Sequence, residues 1–324
     1  MRNPKGGHTA ILGCLVLSIL ALSICASVAA SAEEVRVAVV ESRRLNAYDQ
    51  ALEGFSEAIN RRGFEPDFIR YVVGTDIASA SELEAELEAT DAQIILALGT
   101  DAARMVKDCH SGIPSVFSMV SEPGQSGLLN SGGNGGTPMT GVCLDVPVED
   151  QFLSLLDVVP RARRIGVIYN PQESQFLVDE ARSAANRMNL GLVAYPIDSE
   201  ADVPEGLNSL RPRIDALWLV SDRTVLTTQS LQFVFLYAFQ TNLPLMGLSE
   251  HFVKMGALFA VGPDYHDVGM QSGEFAAQIL KGRAPGELPV ASPRKVLLSL
   301  NLRTAEIIGL NIPEGVVRKA ASVY

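Results

Sequence analysis

The sequence predicts an α/β protein built on two parallel sheets, and two observations lead to this fold class. Six short apolar runs take turns with longer stretches whose apolar residues recur every three or four positions. The short runs are almost continuously apolar, which is typical of parallel strands covered by helices on both faces. Because so many strand–helix units would overfill a single sheet of ordinary size, we expect two sheets.

The chain opens with a segment that predicts export. Two basic residues precede an almost wholly apolar run that begins at Ala10 and ends in Ala30-Ser31-Ala32, a pattern that signal peptidases cut. We expect a signal peptide over residues 1–32, cleaved after Ala32, and a mature protein in the periplasm. An uncleaved or lipid-linked membrane anchor is the alternative, since about 20 apolar residues can span a bilayer.

The remaining elements follow in chain order. Helices are predicted where apolar residues repeat at helical spacing, for example at Leu52, Phe55 and Ile59. A glycine-rich run from Ser131 lacks both phosphate-loop patterns, which favours a surface loop between the two halves. The predicted strands cover residues 35–40, 93–98, 115–120, 164–169, 192–197 and 215–220.

Charge and cysteine content exclude several classes of protein. The chain has 26 basic and 37 acidic residues, a net charge of −11, so we expect no nucleic-acid partner. Only Cys109 and Cys143 lie beyond the predicted signal peptide, which excludes a scaffold held together by several disulfides. The two cysteines either form one disulfide or remain as two buried thiols.

No motif for covalent chemistry is present. The three histidines outside the predicted signal peptide, His110, His251 and His266, do not have metal-ligand spacing, and the nucleophile-elbow pattern GxSxG is absent. We therefore expect no catalytic residues, no metal site and no cofactor. The protein is predicted not to be an enzyme.

Polar residues collect directly after the predicted strands. In open parallel sheets, ligands bind in the crevice at the carboxyl ends of the strands, so these residues are candidates for ligand contact. Where a helix follows at once, its backbone N–H groups suit an anion, and acidic side chains suit an ammonium group. The candidates are Glu41, Ser42, Thr100, Ser121, Glu122, Asn170, Glu173, Ser174, Ser221 and Asp222.

The second half also resembles a known family. The segments RIGVIYNPQES, DALWLVSD, LPLMGLSEHFVKMGAL and DYHDVGMQSGEFAAQILKGRAPGELPV occur in that order. Their sequence and spacing are similar to the ABC-transporter substrate-binding family whose better-known members take up tryptophan and other aromatic amino acids. The resemblance is strong over residues 155–315 and looser over the first half.

This resemblance implies a periplasmic binding protein type I fold, in which two Rossmann-like lobes are joined by three crossings and close on a ligand. Crossings are then expected near residues 145, 249 and 290. The N-terminal lobe would comprise residues 33–145 and 250–289, and the C-terminal lobe residues 146–249 and 290–324.

The resemblance also implies ligand contacts at Tyr169, Asn170, Glu173, Asp222 and Glu250. We expect Asp222 and Glu173 to hold a cationic group of the ligand, and Thr100 and Ser121, with nearby backbone N–H groups, to hold an anionic group.

Two positions depart from the family pattern. Glu122-Pro123 stands where Asp-Pro is usual, and Gln175-Phe176 stands where Asn-Ser is common. Phe176 is expected to supply an apolar wall, and the departures make aromatic amino acids only the first ligands to test.

The predicted function is capture of a small polar metabolite, an amino acid or similar, between the lobes. We expect a monomer that delivers this ligand to an ABC permease in the inner membrane. The alternative is a sensory module of the same fold that reports ligand occupancy to a membrane receptor or histidine kinase. A neighbouring permease gene would favour transport, and a neighbouring kinase gene would favour sensing.

Overall fold

The computed structural model describes Met1 and residues 32–109, 111–124, 126–128 and 139–324. The predicted signal peptide up to Ser31, His110 and the glycine-rich run from Ser131 lie outside the described residues. The described strands form one sheet of five strands and one of seven. The predicted α/β fold with two mainly parallel sheets is confirmed.

The first sheet is entirely parallel. Its strands are β1 (Glu33–Glu41), β2 (Phe64–Val72), β3 (Ile94–Leu98), β4 (Ser115–Val120) and β5 (Met139–Cys143). Their spatial order is β2-β1-β3-β4-β5. The helices of this lobe are α1 (Asn46–Asn60), α2 (Ala80–Glu88), α3 (Thr100–Asp108) and, from later in the chain, α9 (Tyr265–Leu280).

The second sheet has seven strands and one antiparallel pairing. Its strands are β6 (Arg164–Tyr169), β7 (Gly191–Pro196), β8 (Ala216–Trp218), β9 (Leu245–Gly247), β10 (Phe259–Pro263), β11 (Val296–Leu300) and β12 (Ser322–Val323). The spatial order is β12-β11-β10-β9-β8-β6-β7, and only β10 and β11 run antiparallel. The helices are α4 (Val148–Val158), α5 (Pro171–Arg187), α6 (Val203–Leu210), α7 (Thr228–Gln240), α8 (Glu250–Met255), α10 (Leu302–Ile307) and α11 (Glu314–Val317).

Each of the six predicted strands coincides with a strand of the structure, and the predicted helical faces are buried. Phe55 and Ile59 on α1 and Phe152 on α4 have no exposed surface. Two of the strands that were not predicted have weaker patterns. β2 is an edge strand of which only three of the nine residues are fully buried, whereas β9 has only three residues.

The second crossing lies later than the predicted position near residue 249. Strand β10 pairs with β9 and β11 of the second sheet, and helix α8 packs against β10, so residues 250–263 belong to the C-terminal lobe. The chain crosses to the first lobe at Asp264 and enters α9. The predicted boundary was misplaced because the apolar strand β10 was not recognised in the sequence.

Close helix packing explains why α9 alone returns to the first lobe. A Cβ atom on Gly269 would collide with the carbonyl oxygen of Ala51, and one on Gly54 would collide with that of His266. The two glycines therefore let the backbones of α1 and α9 approach more closely than any larger side chain permits. This contact fixes α9 to the first lobe, although the strands on either side of it belong to the second sheet.

The crossings are hydrogen-bonded to each other near the lobe boundary. The N–H of Cys143 donates to the carbonyl of Ala291 at 2.9 Å, and the N–H of Asp264 donates to that of Lys295 at 3.1 Å. The Lys295 ammonium also pairs with the Asp264 carboxylate at 2.6 Å. Cys143 and Cys109 are both buried free thiols, which decides between the two predicted alternatives.

Candidate functional site

Two adjoining cavities lie where the crossings meet the carboxyl ends of the strands. Their volumes are about 400 and 340 Å³, within the range of small-molecule sites. We call their union the hinge cavity. The residues that line both parts are Glu122, Asp145, Val146, Gln151, Ser221 and Leu248.

A wider groove of about 780 Å³ lies elsewhere, between α1 and β2 on the first lobe. Charged side chains including Asp49, Glu53, Arg61 and Arg70 line it, and it contains no residue of the crossings. The hinge cavity is therefore the better candidate for a ligand site, because both lobes contribute to its walls.

Two carboxylates from the first lobe face the hinge cavity. Glu122 follows β4, and Asp145 follows the neighbouring parallel strand β5, so both lie at the same edge of the sheet. Glu122 has a φ of 45°, in the left-handed region that L-residues rarely adopt. Its N–H donates to Asp145 Oδ2 at 2.8 Å, which holds the strained turn and fixes the distance between the two residues.

The hinge cavity is electrostatically negative. Burial raises the pKa of Asp145, and burial together with the nearby charge of Asp145 raises the pKa of Glu122. Glu180 on α5 adds a third carboxylate from the second lobe, and among the described residues no Lys, Arg or His lines either part of the cavity. A positively charged group would relieve this repulsion.

The second lobe supplies the apolar wall. Phe176 and Leu177 project from α5, and Phe176 is 71% exposed, unusually open for an aromatic side chain. Trp218 is buried, also lines the cavity, and donates its Nε1–H to Gln151 Oε1 at 2.8 Å. Gln151 Nε2 in turn donates to the carbonyl of Val146 at 2.9 Å, so the glutamine ties the wall to the first crossing.

Nearly the whole described part of the chain matches one protein family. The sequence profile of the ABC transporter substrate binding protein family covers residues 35–324. The chain belongs to this family. This match confirms the resemblance to ABC-transporter substrate-binding proteins that the second half of the sequence shows.

Known proteins similar to this substrate binding protein include binders of amino acids. The tyrosine-binding protein of Clostridioides difficile is 25% identical over 270 residues, which are 81% of this chain and 77% of the relative. The ligand-free, open structure of a Clostridium difficile substrate binding protein with adhesive properties has a TM-score of 0.74 and 24% identity, covering 89% of this chain and 98% of the other. An ABC domain from Streptococcus pneumonia in complex with L-Trp has a TM-score of 0.57 and 21% identity, covering 90% and 100%.

The family and these neighbours are non-enzymatic solute-binding proteins, so the expectation that this protein is not an enzyme is confirmed. Among the described residues, no group of three or more acidic, histidine or cysteine side chains could hold a metal ion. Within the same residues, no helix combines the length and the apolar character needed to cross a membrane.

Four of the predicted contact residues line the hinge cavity of this substrate binding protein. They come from both lobes, as a site between lobes requires. Ser121 and Glu122 follow β4, Ser221 follows β8, and Phe176 lies on α5. These four remain our candidates for ligand contact.

Asp222 has a different environment from the one predicted for a ligand contact. Its side chain has no exposed surface, and its two carboxylate oxygens accept four hydrogen bonds. The donors are the N–H groups of Asn170 (2.7 Å), Thr224 (3.0 Å) and Val225 (3.3 Å) and the hydroxyl of Ser174 (2.8 Å). The carboxylate therefore joins the loop after β8 to the start of α5, and Asn170 and Ser174 are its partners.

Other predicted contacts in the second lobe also have partners within that lobe. Glu173 accepts from the N–H and Nε of Arg223, at 2.7 and 3.1 Å. The Tyr169 hydroxyl donates to Gln175 Oε1 at 3.0 Å. Glu250 accepts from the Tyr324 hydroxyl and pairs with Lys254. None of these three residues lines the hinge cavity.

The predicted contacts at the start of the first lobe serve its own structure. Glu41 is fully buried, and its Oε1 accepts from Arg70 at 2.5 Å and from Arg44 at 3.1 Å. Ser42 Oγ accepts the N–H of Ala102 at 3.0 Å and so caps α3, which begins at Thr100. Neither Glu41, Ser42 nor Thr100 lines the hinge cavity.

Sequence reasoning missed several residues of the hinge cavity. Asp145 directly follows a strand, the signal used for the other candidates, but β5 was not predicted because it lies within the segment assigned to the lobe boundary. Gln151 and Trp218 lie inside a helix and a strand. Their place in the wall depends on how the two lobes meet, which no local pattern indicates.

Proposed function

We propose that this protein is the exported substrate-binding component of an ABC importer and that it binds a small metabolite carrying an amino group in the hinge cavity. The main support is the composition of that cavity, in which Glu122 and Asp145 of one lobe face a mainly apolar wall of the other, where Glu180 is the only charged residue among the described lining. The family match and the amino-acid ligands named for its neighbours are consistent with a ligand of this size.

In the proposed complex, the ammonium group lies between Glu122 and Asp145, and the apolar part of the ligand packs on Phe176 and Leu177. Hydrogen bonds between a charged donor and a carboxylate are the strongest kind in proteins. Phe176 loses its large exposed surface when the ligand and the first lobe cover it, which adds a hydrophobic contribution.

Ligand binding would stabilise a closed arrangement of the lobes. A ligand shifts such an equilibrium only by as much as it binds one state better than the other. A ligand that touches Glu122 on one lobe and Phe176 on the other makes both contacts best when the lobes approach each other. The closed protein would then dock on its permease in the inner membrane.

Two experiments test this proposal. A thermal-shift screen of amino-bearing metabolites against the mature protein should give at least one ligand that raises the unfolding temperature, because a ligand that binds only the folded state adds stability. Uptake of that ligand should fall in cells that lack the gene and recover on complementation. A normal uptake rate in the deletion strain would contradict the delivery function.

Export is tested separately by fractionation of cells that express the full chain. The proposal expects the protein in the periplasmic fraction, with Glu33 as its first residue. A cytoplasmic product that retains Met1 would contradict export.

A further inference from the structure

We propose that the hinge cavity selects organic cations, meaning apolar amines without a free carboxylate, over the corresponding zwitterionic amino acids. This inference rests on the proposed function, since it takes the hinge cavity to be the ligand site and narrows the class of ligand. Two features of the cavity support it. The charged residues that line it are acidic, and most polar groups that could bind a carboxylate already have hydrogen-bond partners within the protein.

The charge of the cavity lining favours a cation. Glu122, Asp145 and Glu180 contribute three carboxylates, and among the described residues the lining includes no basic side chain. Among the described residues, no hydrogen bond or ion pair engages the side chain of Glu122 or Glu180. A ligand ammonium would therefore meet acceptors that have no competing partner.

Few polar groups of the cavity lining could hold a ligand carboxylate. The side-chain amide of Gln151 is engaged at both atoms, its oxygen by Trp218 and its nitrogen by Val146. The hydroxyls of Ser121 and Ser221 remain as uncharged donors. Two hydroxyls do not offset the desolvation of an ionised carboxylate that lies beside two like charges.

The helix N-termini at the strand ends, where an anion would otherwise bind, also disfavour a ligand carboxylate. The start of α3 is capped by Ser42, and the start of α5 is capped by Asn170, whose Oδ1 accepts the N–H of Gln172 at 2.9 Å. The first turns of α3, α4 and α5 also carry acidic side chains of their own. These carboxylates already complement the positive ends of the helix dipoles, so a ligand carboxylate is disfavoured there.

The apolar part of the ligand follows from the opposite wall. Phe176, Leu177 and Leu248 present apolar surface, and the larger part of the cavity has about 400 Å³. This space is sufficient for an aromatic ring or a branched aliphatic group with a short aminoalkyl chain. The favoured ligand is thus a primary amine with an apolar body.

The test uses pairs of compounds that differ only in the carboxylate: tyramine and L-tyrosine, tryptamine and L-tryptophan, isopentylamine and L-leucine. Isothermal titration of the mature protein should show at least one amine that binds at least about tenfold more tightly than its amino acid, a difference of about 1.4 kcal/mol. The anionic analogue 3-(4-hydroxyphenyl)propionate should not bind. Equal or tighter binding of the amino acids would overturn the inference, and so would binding of neither class.

Single substitutions test whether Glu122 and Asp145 are responsible for binding the amine. Glu122→Gln and Asp145→Asn should each weaken binding of the preferred amine by about tenfold to a hundredfold, because each removes a charged hydrogen-bond acceptor. Both preserve side-chain shape, and Asp145→Asn retains an oxygen for the Glu122 N–H. Glu306→Gln, an exposed change on α10 away from the cavity, is the matched control and should bind normally. Unchanged affinity in both cavity variants would overturn the inference.

The uptake experiment separates the two proposals. If the amines fail to bind but the deletion strain loses uptake of another small metabolite, the cation selectivity is wrong and the delivery function stands. If an amine binds tightly but the deletion strain takes it up normally, the selectivity stands and the delivery function is wrong.

Discussion

Asp222 and the pair Glu122 and Asp145 offer a direct comparison, since all three are acidic residues located just beyond parallel strands. Asp222 is completely buried and accepts four hydrogen bonds from its own lobe. Glu122 and Asp145 share one hydrogen bond, from a backbone N–H, and face a cavity without a basic residue in the described lining. The comparison shows that position at a strand end does not by itself identify a ligand contact. The donors already present around the carboxylate decide its role.

The largest expected effect on the free energy of unfolding comes from substitution of Asp222. Asp222→Ala leaves three backbone N–H groups and the Ser174 hydroxyl without their acceptor, so the free energy of unfolding should fall by about 3 kcal/mol or more. Urea denaturation followed by circular dichroism measures this change. Asp222→Asn should cost less, because its remaining oxygen still accepts. A variant with wild-type stability but no ligand binding would restore Asp222 to the binding site.

Phe176 should give a smaller effect, confined to binding. Because its ring is 71% exposed, Phe176→Ala should leave stability nearly unchanged and weaken ligand binding by about threefold to tenfold. Leu236→Ala on α7 is the control, since Leu236 is 55% exposed and lies outside the hinge cavity. A loss of stability without a loss of affinity would show that Phe176 has a structural role instead.

Neutralising Glu122 and Asp145 should raise the stability of the protein, whereas substitution of Asp222 should lower it. The folded protein raises the pKa of Glu122 and Asp145, so it binds more protons than the unfolded chain, and this stabilising contribution is lost as the pH rises through the raised pKa values. The double variant Glu122→Gln, Asp145→Asn should therefore be more stable than the wild type at pH 7, by less than about 1 kcal/mol.

The pH dependence checks the sign of this effect. Below the ordinary carboxyl pKa of about 4, the wild type and the double variant should have the same stability, and the advantage of the variant should grow towards neutral pH. Chemical denaturation at a series of pH values measures the difference. A variant that is less stable than the wild type at pH 7 would contradict a repulsive pair.

The smallest effect should come from the ion pair of Glu173 and Arg223. The Arg223 side chain is 91% exposed, so solvent screens the interaction and Arg223→Ala should lower the free energy of unfolding by about 0.5 kcal/mol. Affinity for the ligand should not change. A tenfold loss of affinity would place Glu173 or Arg223 in the binding site after all.

The sequence allowed most of the fold to be predicted but only part of the site. Buried strands such as β6 are recognisable from their continuous apolar runs. Strand β10 was not recognised, and the second crossing was therefore misplaced. At the site, Glu122, Phe176 and Ser221 were found from strand ends and from departures in the family pattern. Asp145 was not found, because β5 was not recognised as a strand, and Trp218 was not found, since its role arises from the contact between lobes.

The sequence also does not show which hydrogen-bond partners a polar side chain has in the folded protein. Ser42, Asn170 and Asp222 have the residue types and positions of ligand contacts, yet each is engaged by backbone N–H groups of its own lobe. Capping and ligand binding use the same short polar side chains at the same places. Only the three-dimensional structure distinguishes an engaged carboxylate from an available one.

The central claim, that Glu122 and Asp145 of the hinge cavity bind the ligand and Asp222 does not, is tested most directly by one titration series. The preferred amine is titrated calorimetrically into the wild type, the Glu122→Gln, Asp145→Asn double variant and Asp222→Asn. We expect the double variant to lose at least about a hundredfold in affinity and Asp222→Asn to bind within about threefold of the wild type. The reverse order, with binding retained by the double variant and lost in Asp222→Asn, would contradict the claim.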